Sequence, residues 1–292
     1  MPTEFATGAA PTPAELDAAA AVDGVAPAVA VTYAPVARHL TRLAEAARAA
    51  RAGGAGARRP FVIGLTGGVG VGKSVTARIL ARLMDSGAAP CRIEIVATDG
   101  FLLPARELRE RGIMHRKGFP ESYDLGRAGE FLDELRRGAP EVRVPVYSHH
   151  SYDIVPDAAQ HLRDPDVVLV EGVYVATLMR PDTAEAVAEG AFDVTLYLDA
   201  APDAVRAWYL DRAMQLITER MREVTQPAWT MTREESRAMV ERVWEEVNIV
   251  NARENIVPSR GFADLLVTKR DDHSVSSVRL RDHGPLRKGG TG

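Results

Sequence analysis

The chain of 292 residues is long enough for one large domain or two small ones, and its 46% hydrophobic content is that of a globular protein with a full core. A net charge of −4 argues against nucleic acid as a partner, and a single cysteine, Cys91, excludes an internal disulfide. The apolar stretch 24–37 is too short to span a bilayer, and the first 30 residues lack the basic start of a signal peptide. We therefore expect a cytoplasmic protein without a membrane partner.

The N-terminal 30 residues are rich in alanine, proline and threonine, and we expect a disordered or weakly helical tail there. Between Tyr33 and Arg51 apolar side chains recur at helical spacing, which predicts an amphipathic helix. Glycines at 53–56 then form a link to the first buried strand. We expect one folded domain over residues 31–282 and a disordered tail at 283–292.

A phosphate-binding pattern lies at 67–74, where glycine, four residues, glycine, lysine and serine follow one another. The apolar run 61–65 before it predicts a buried strand, and apolar side chains at helical spacing after it predict a helix. Glycines let backbone N–H groups close around phosphate oxygens, while Lys73 can reach the terminal phosphates and Ser74 can ligate Mg²⁺. The sequence therefore predicts a nucleoside triphosphate site. Its residues are Gly67, Gly68, Val69, Gly70, Val71, Gly72, Lys73, Ser74 and Val75.

Two acidic residues follow predicted strands, Asp99 after the segment 91–97 and Glu171 after the run 166–170. Ligands of open α/β sheets bind at the carboxyl ends of the strands. A carboxylate near a terminal phosphate either ligates Mg²⁺ or accepts the proton of an attacking hydroxyl. For Asp99 the structural alternative is a helix or turn cap, and the signal for Glu171 is weak alone because many buried strands end in glutamate.

Residues 142–155 alternate in polarity like an extended hairpin and carry Tyr147, His149, His150 and Tyr152. Metal binding is one interpretation of the histidines, but neighbours on a strand point to opposite faces. We therefore expect one histidine to contact substrate and the other to face solvent.

The C-terminal half begins with a long predicted helix at 201–224, on which Tyr209 and Arg212 share a face. An arginine near phosphates can neutralise charge that develops during phosphoryl transfer. The alternative is a surface arginine paired with Asp211 or Glu219.

A second long helix is predicted at about 233–256, with Asn248, Asn251 and Asn255 along one side. Asparagine has a poor helix propensity, so this row indicates a binding face. Strands at 263–268 and 275–280 complete an alternation of strands and helices, which predicts an α/β fold with a mainly parallel sheet covered on both faces.

Eight stretches together resemble bacterial type I pantothenate kinases, which belong to the phosphoribulokinase/uridine kinase group of P-loop kinases. They are the phosphate loop with residues 76–78, and residues 98–102, 117–124, 145–149, 171–172, 208–212, 248 with 255–258, and 273 with 278–281. The resemblance covers residues 33–282 and implies a three-layer α/β/α P-loop fold. It also implies ATP- and Mg²⁺-dependent phosphorylation of the primary hydroxyl of pantothenate, the first step towards coenzyme A.

The resemblance implies roles at the phosphoryl end of the site. Asp99 resembles the general base, and Lys73 and Arg212 resemble the groups that stabilise the transferring phosphoryl. Ser74 and Glu171 would hold Mg²⁺.

It also implies the remaining contacts. His273 would lie near the adenine. The residues that would hold pantothenate are Asp99, Tyr147, His149, Tyr209 and Asn248. The family uses Arg78 and His149 to bind coenzyme A as a feedback inhibitor, and it is commonly dimeric.

The chain departs from the family pattern at the far end of the pantothenate pocket. Ala213 and Leu216 stand where aromatic residues are usual, and a shorter segment at 226–230 replaces an aromatic-rich one. We therefore expect weakened feedback by coenzyme A. A related kinase acting on another small alcohol or a nucleoside is the first alternative.

A second alternative is a nucleotide-binding regulator without enzymatic activity. Residues 268–271, Thr-Lys-Arg-Asp, resemble the guanine-reading segment of GTPases and follow a strand as that segment does. Against it, residues 171–174 lack the Asp-x-x-Gly of a GTPase switch.

Overall fold

The computed structural model describes residues 3–4, 9–51, 58–87, 91–180, 190–223 and 231–281. Its strands are β1 (Thr3–Glu4), β2 (Phe61–Gly67), β3 (Ile93–Ala97), β4 (Glu141–Ser148), β5 (Asp153–Arg163), β6 (Val167–Glu171), β7 (Val194–Asp199), β8 (Leu265–Lys269) and β9 (Val275–Leu280). Its α-helices are α1 (Pro13–Ala20), α2 (Pro27–Ala30), α3 (Ala34–Arg51), α4 (Lys73–Asp85), α5 (Ala105–Glu110), α6 (Leu125–Arg137), α7 (Val175–Leu178), α8 (Pro202–Glu223), α9 (Arg233–Val243) and α10 (Ile249–Asn251).

The main sheet has the strand order β1-β9-β8-β7-β2-β6-β3. Its central strand β2 pairs in parallel with β6 and β7, while β3 and β8 extend the parallel part on either side. The edge strands β9 and β1 run antiparallel. The predicted mainly parallel sheet is therefore confirmed, and the carboxyl ends of five strands meet at one edge, where ligands of such sheets bind.

Helices cover both faces of this sheet. Successive side chains of β2 point to opposite faces, and apolar side chains on each face pack against a helix layer. Ile63 and Leu65 pack in one apolar cluster with residues of α3 and α4, whereas Val62 packs in a second cluster with Phe131 and Leu132 of α6. The predicted three-layer α/β/α architecture is thus confirmed. Within the described ranges, none of the helices combines the length and the apolar character that a bilayer crossing needs.

The first 30 residues, where we expect a disordered or weakly helical tail, contain helices α1 and α2 in the part that the structure describes. Helix α1 begins with a capping box in which Thr12 and Glu15 each bond the backbone N–H of the other. Ala19, Val22 and Ala30 are buried in the cluster with α3 and α4. The ordered region therefore begins well before residue 31. The predicted tail at 283–292 and the segment 226–230 lie outside the described residues.

The last long helix follows its prediction but is not a regular α-helix. Two π-helical stretches, Trp244–Asn248 and Ala252–Ile256, flank α10 and follow α9 without a break. Such stretches occur often at functional sites. Asn248 and Asn255 of the predicted face lie in these stretches, and Asn251 lies between them at the end of α10.

The predicted hairpin is formed by β4 and β5, a separate two-stranded antiparallel sheet. Since β4 ends at Ser148, His149 and His150 lie in the turn and not on a strand. The expectation that strand geometry points them in opposite directions is therefore wrong, and both side chains are exposed.

Candidate active site

The phosphate loop links β2 to α4 and uses backbone conformations that favour glycine. Gly67, Gly70 and Gly72 have φ angles of 145°, 85° and 88°. A Cβ on Gly70 would lie 2.9 Å from the Cβ of Tyr209 on α8, and one on Gly72 would lie 3.0 Å from Nζ of Lys269 on β8. The glycines thus allow the loop to fit closely between α8 and the end of β8.

Lys73 is the first residue of α4 and curls back over the loop. Its Nζ donates to the carbonyl oxygens of Gly67 and Gly68, at 3.0 Å each. Burial lowers the pKa of Lys73, and the negative charges of Glu171 and Asp99 oppose that shift. The two carboxylates therefore lie close enough to support a cation at the loop.

Ser74 and Glu171 form the second contact of the loop. The Ser74 hydroxyl donates to Oε1 of Glu171 at 2.6 Å, and Glu171 is 6% exposed at the end of β6. Burial raises the pKa of Glu171, while the bond from Ser74 and the charge of Lys73 lower it.

These two oxygen donors fit Mg²⁺, which takes few protein ligands and keeps several waters. No cluster of three or more His, Cys, Asp or Glu side chains suited to a metal ion occurs in the described part of the chain. The donor set therefore does not resemble a zinc or calcium cage.

Asp99 lies in a 3₁₀ turn, Thr98–Phe101, directly after β3. Two glycines fix this turn by close approach. A Cβ on Gly100 would lie 2.3 Å from the Pro145 carbonyl of the hairpin, and one on Gly172 would lie 1.7 Å from Oγ1 of Thr98. Asp99 is thereby held between β6 and the hairpin, beside the phosphate loop.

The hairpin forms an aromatic wall next to Asp99. Rings of Tyr147 and His149 meet edge to face at 5.2 Å, and Nζ of Lys117 lies 3.9 Å from the centroid of the Tyr152 ring. Lys117 also donates to the Tyr152 carbonyl at 2.6 Å. Burial lowers the pKa of Lys117, whereas Asp153 and Asp99 raise it. The sequence did not predict a role for Lys117. The one indication was that lysine is scarce, with four in the chain.

The opposite wall comes from α8 and the first π-helical stretch. The Tyr209 and Trp244 rings lie 5.1 Å apart, and burial raises the pKa of Tyr209. The Asn248 side chain lies beside the Tyr209 hydroxyl, and a hydrogen bond between the two side chains opposes this rise in the pKa of Tyr209. Tyr209 and Asn248 therefore place a hydroxyl and an amide side by side on this wall. Arg212 lies one turn beyond Tyr209 on α8 with an exposed side chain.

His273 lies in the turn between β8 and β9 with a φ of 68°. Its ring is 4.1 Å from that of Trp208, whose Nε1 donates to the Asp271 carbonyl at 3.2 Å. The Tyr33 hydroxyl donates to the His273 carbonyl at 2.9 Å. The two rings, tilted by 31° to each other, offer aromatic surface on which a flat base can pack. The contribution of Tyr33 was not predicted, because 240 residues separate the partners.

A glycine-rich cradle at the centre of a parallel sheet, with a lysine, a serine and two carboxylates at the same edge, defines a P-loop phosphotransferase. The sequence pattern of the Phosphoribulokinase / Uridine kinase family matches residues 62–255. The chain belongs to this family of kinases. As such it uses a nucleotide and a small-molecule substrate.

Relatives with close sequences carry a specific name. A pantothenate kinase from Brevibacillus brevis is 42% identical over 233 residues, which cover 76% of this chain and 72% of the relative. One from Sorangium cellulosum is 42% identical over 228 residues, covering 77% and 73%. The solved structure of D-glycerate 3-kinase from Cryptococcus neoformans var. grubii has a TM-score of 0.58 and 12% identity, covers 84% of this chain and 99% of that one, and shares the fold alone.

Proposed function

We propose that this chain is a pantothenate kinase, which transfers the terminal phosphoryl group of ATP to the primary hydroxyl of pantothenate. The observation that carries the proposal is the meeting of Lys73, Asp99 and Glu171 at the phosphate loop, in a chain 42% identical to proteins of that name. The product would enter coenzyme A synthesis.

ATP would bind with its phosphates in the loop 67–75 and its base beside His273. The loop N–H groups and the start of α4 supply positive partial charge. Lys73 would exchange the carbonyls of Gly67 and Gly68 for phosphate oxygens, since its ammonium already lies at the loop.

Ser74 and Glu171 would hold Mg²⁺, directly or through its waters. The ion would supply positive charge against the phosphates of ATP. Glu171 would be ionised in that state, because a cation lowers the pKa of a buried carboxylate.

Asp99 would accept the proton of the pantothenate hydroxyl as its oxygen attacks the terminal phosphorus. The bond from phosphorus to the bridging oxygen of ADP breaks, and that oxygen keeps the electron pair. Lys73 and Arg212 would offset the negative charge on the transferring group. For Arg212 this requires its exposed side chain to turn towards the loop.

Pantothenate would lie between the two walls, held by Asp99, Tyr147, His149, Tyr209 and Asn248. The support from Asn248 is its place beside the Tyr209 hydroxyl, where its side-chain amide would also bond a hydroxyl or carbonyl of pantothenate. Tyr147 and Tyr209 offer hydroxyl groups and apolar ring faces on opposite sides.

Coenzyme A is proposed as a weakened feedback inhibitor. Arg78 is exposed on α4, where it could meet a phosphate, but Ala213 and Leu216 supply no aromatic surface. Undiminished inhibition by micromolar coenzyme A in a kinase assay would contradict this proposal. A homodimer and a cytoplasmic location remain predictions from the sequence.

The decisive experiment is ADP release from ATP and Mg²⁺ with pantothenate, beside a panel of nucleosides and small alcohols. Turnover with pantothenate well above the panel is the expected result. Turnover with a panel member but not with pantothenate would show that the kinase acts on another substrate. ATP binding without any turnover would favour a nucleotide-binding regulator without enzymatic activity.

A further inference from the structure

Lys269 connects the far side of the sheet to the phosphate loop. It is the last residue of β8, which is separated from β2 by β7, and it is 6% exposed. Its Nζ donates to the Val71 carbonyl at 2.7 Å and lies 5.0 Å from the centroid of the Trp208 ring. The β8–β9 register shifts between Thr268 and Lys269, where the strand reaches the loop.

The Val71 carbonyl needs this donor for a geometric reason. If the N–H groups of the loop face a phosphate, its carbonyl groups must face away, towards the protein. Val71 is 1% exposed, so its carbonyl cannot rely on water, and a buried unpaired carbonyl is costly. Lys73 holds the carbonyls of Gly67 and Gly68, and Lys269 holds the carbonyl of Val71, three residues further along the loop.

The charge of Lys269 is only partly compensated. Burial and the positive charge of Lys73 lower its pKa to about 8. A carbonyl and the face of an indole ring are its neighbours, and both stabilise a cation less than a carboxylate does. An incoming phosphate relieves the repulsion between the two lysines, so both cations favour binding of an anion.

We propose that Lys269 is a positioning residue that holds the phosphate loop in its phosphate-binding conformation through the Val71 carbonyl and adds positive charge behind it. The inference rests on the nucleotide site of the proposed function and is independent of which alcohol is phosphorylated. Lys269 acts through the loop and does not touch the reacting atoms.

The test compares Lys269→Met with Arg270→Met in the full-length chain. Both remove one positive charge at neighbouring positions where β8 ends, but Arg270 donates to the Val275 carbonyl at 2.8 Å, away from the loop. The affinity for ADP, which contains a base, is measured by direct binding. The affinity for inorganic tripolyphosphate, which has no base, is measured by competition with ADP. Losing a hydrogen bond to a charged group should weaken both ligands about tenfold or more in Lys269→Met, and in Arg270→Met by less than about twofold.

Kinetics separate positioning from a general structural role. In Lys269→Met the KM for ATP should rise by a similar factor while the KM for pantothenate stays within about twofold. Lys269→Arg, which keeps a charged donor, should recover most of the affinity. If Lys269→Met fails to fold, Lys269→Gln carries the same expectation.

Three results would overturn the proposal. The first is weakened ADP binding with unchanged tripolyphosphate binding in Lys269→Met, which would place Lys269 at the base. The second is an equal loss of affinity in Arg270→Met. The third is wild-type affinity in a folded Lys269→Met. A wild-type protein that binds ADP without phosphorylating pantothenate would instead contradict the proposed function and leave this inference standing.

Discussion

Opposite charges are paired closely at the scale of single residues. Burial lowers the pKa of Lys73, and the carboxylates of Glu171 and Asp99 beside it raise that pKa. Burial raises the pKa of Glu171, and the hydrogen bond from the Ser74 hydroxyl and the charge of Lys73 lower it. Removing one of these side chains therefore changes the ionisation of the others. We expect the effects of two substitutions in this group on activity to differ from the sum of their separate effects.

The first prediction concerns the proposed base. Asp99→Asn keeps the shape of the side chain but cannot accept a proton, so kcat should fall by about 10²- to 10⁴-fold with pantothenate. ADP binding should change little. The matched control is Asp124→Asn, at an exposed helix cap where asparagine also serves. Retention of more than about a tenth of kcat in Asp99→Asn would rule out the base.

The second prediction concerns pH. Lys269 is charged below its pKa of about 8 and neutral above it. Bound phosphates favour the charged form, so ADP affinity should fall as the pH rises from about 7 to 9. The other titratable groups that face it are Lys73, whose pKa is also lowered, and His273, whose lowered pKa keeps it neutral in this range.

Titration calorimetry of ADP at several pH values checks this second prediction. The part of the slope that belongs to Lys269 is the difference between the wild type and Lys269→Met. Identical slopes in the two proteins would contradict the assignment.

At the scale of elements, the sequence predicted those strands and helices that depend on interactions between residues close together in the chain. The phosphate loop and its flanking strand and helix were predictable because eight consecutive residues carry the pattern. The long helix 233–256 was predictable from its periodicity, but not its two π-helical stretches. The contact of Lys269 with Val71 was not predictable, since it joins residues 198 apart.

The N-terminal helices show why composition misleads. The capping box of Thr12 and Glu15 is a local signal for α1 that could have been recognised. The burial of Ala19 was not predictable in the same way, because alanine is too small to mark an apolar face. It depends on the tertiary partners α3 and α4.

A third prediction tests how the turn of Asp99 is held. Gly100→Ala places a Cβ 2.3 Å from the Pro145 carbonyl, so the turn and the hairpin must separate. We expect a lower unfolding midpoint and a loss of kcat of about tenfold or more, since small displacements of catalytic groups are costly. Gly129→Ala on α6 is the control. A Cβ there meets no atom within 4 Å, and it should stabilise by about 0.5–1 kcal/mol. An active, stable Gly100→Ala would show that the contact is dispensable.

At the scale of the whole molecule, the N-terminal helices form part of the core. Deleting residues 1–30 removes the buried Ala19, Val22 and Ala30 and exposes the surfaces of α3 and α4 beneath them. Burying one valine alone contributes about 1.5–3 kcal/mol, so we expect unfolding to require at least about 3 kcal/mol less free energy. Urea unfolding measures the difference. An unchanged midpoint would show that these helices pack without stabilising the fold.

The tie between Tyr33 and His273 has a consequence for how the protein is made. This hydrogen bond joins a residue near the start of the chain to the turn after β8, which we propose lies beside the base of ATP. During translation the N-terminal helices and the phosphate loop leave the ribosome long before their partners at 269–273 exist. Because a ligand stabilises only the state that binds it, we expect ATP to stabilise the chain fully only after the turn that follows β8 has been added.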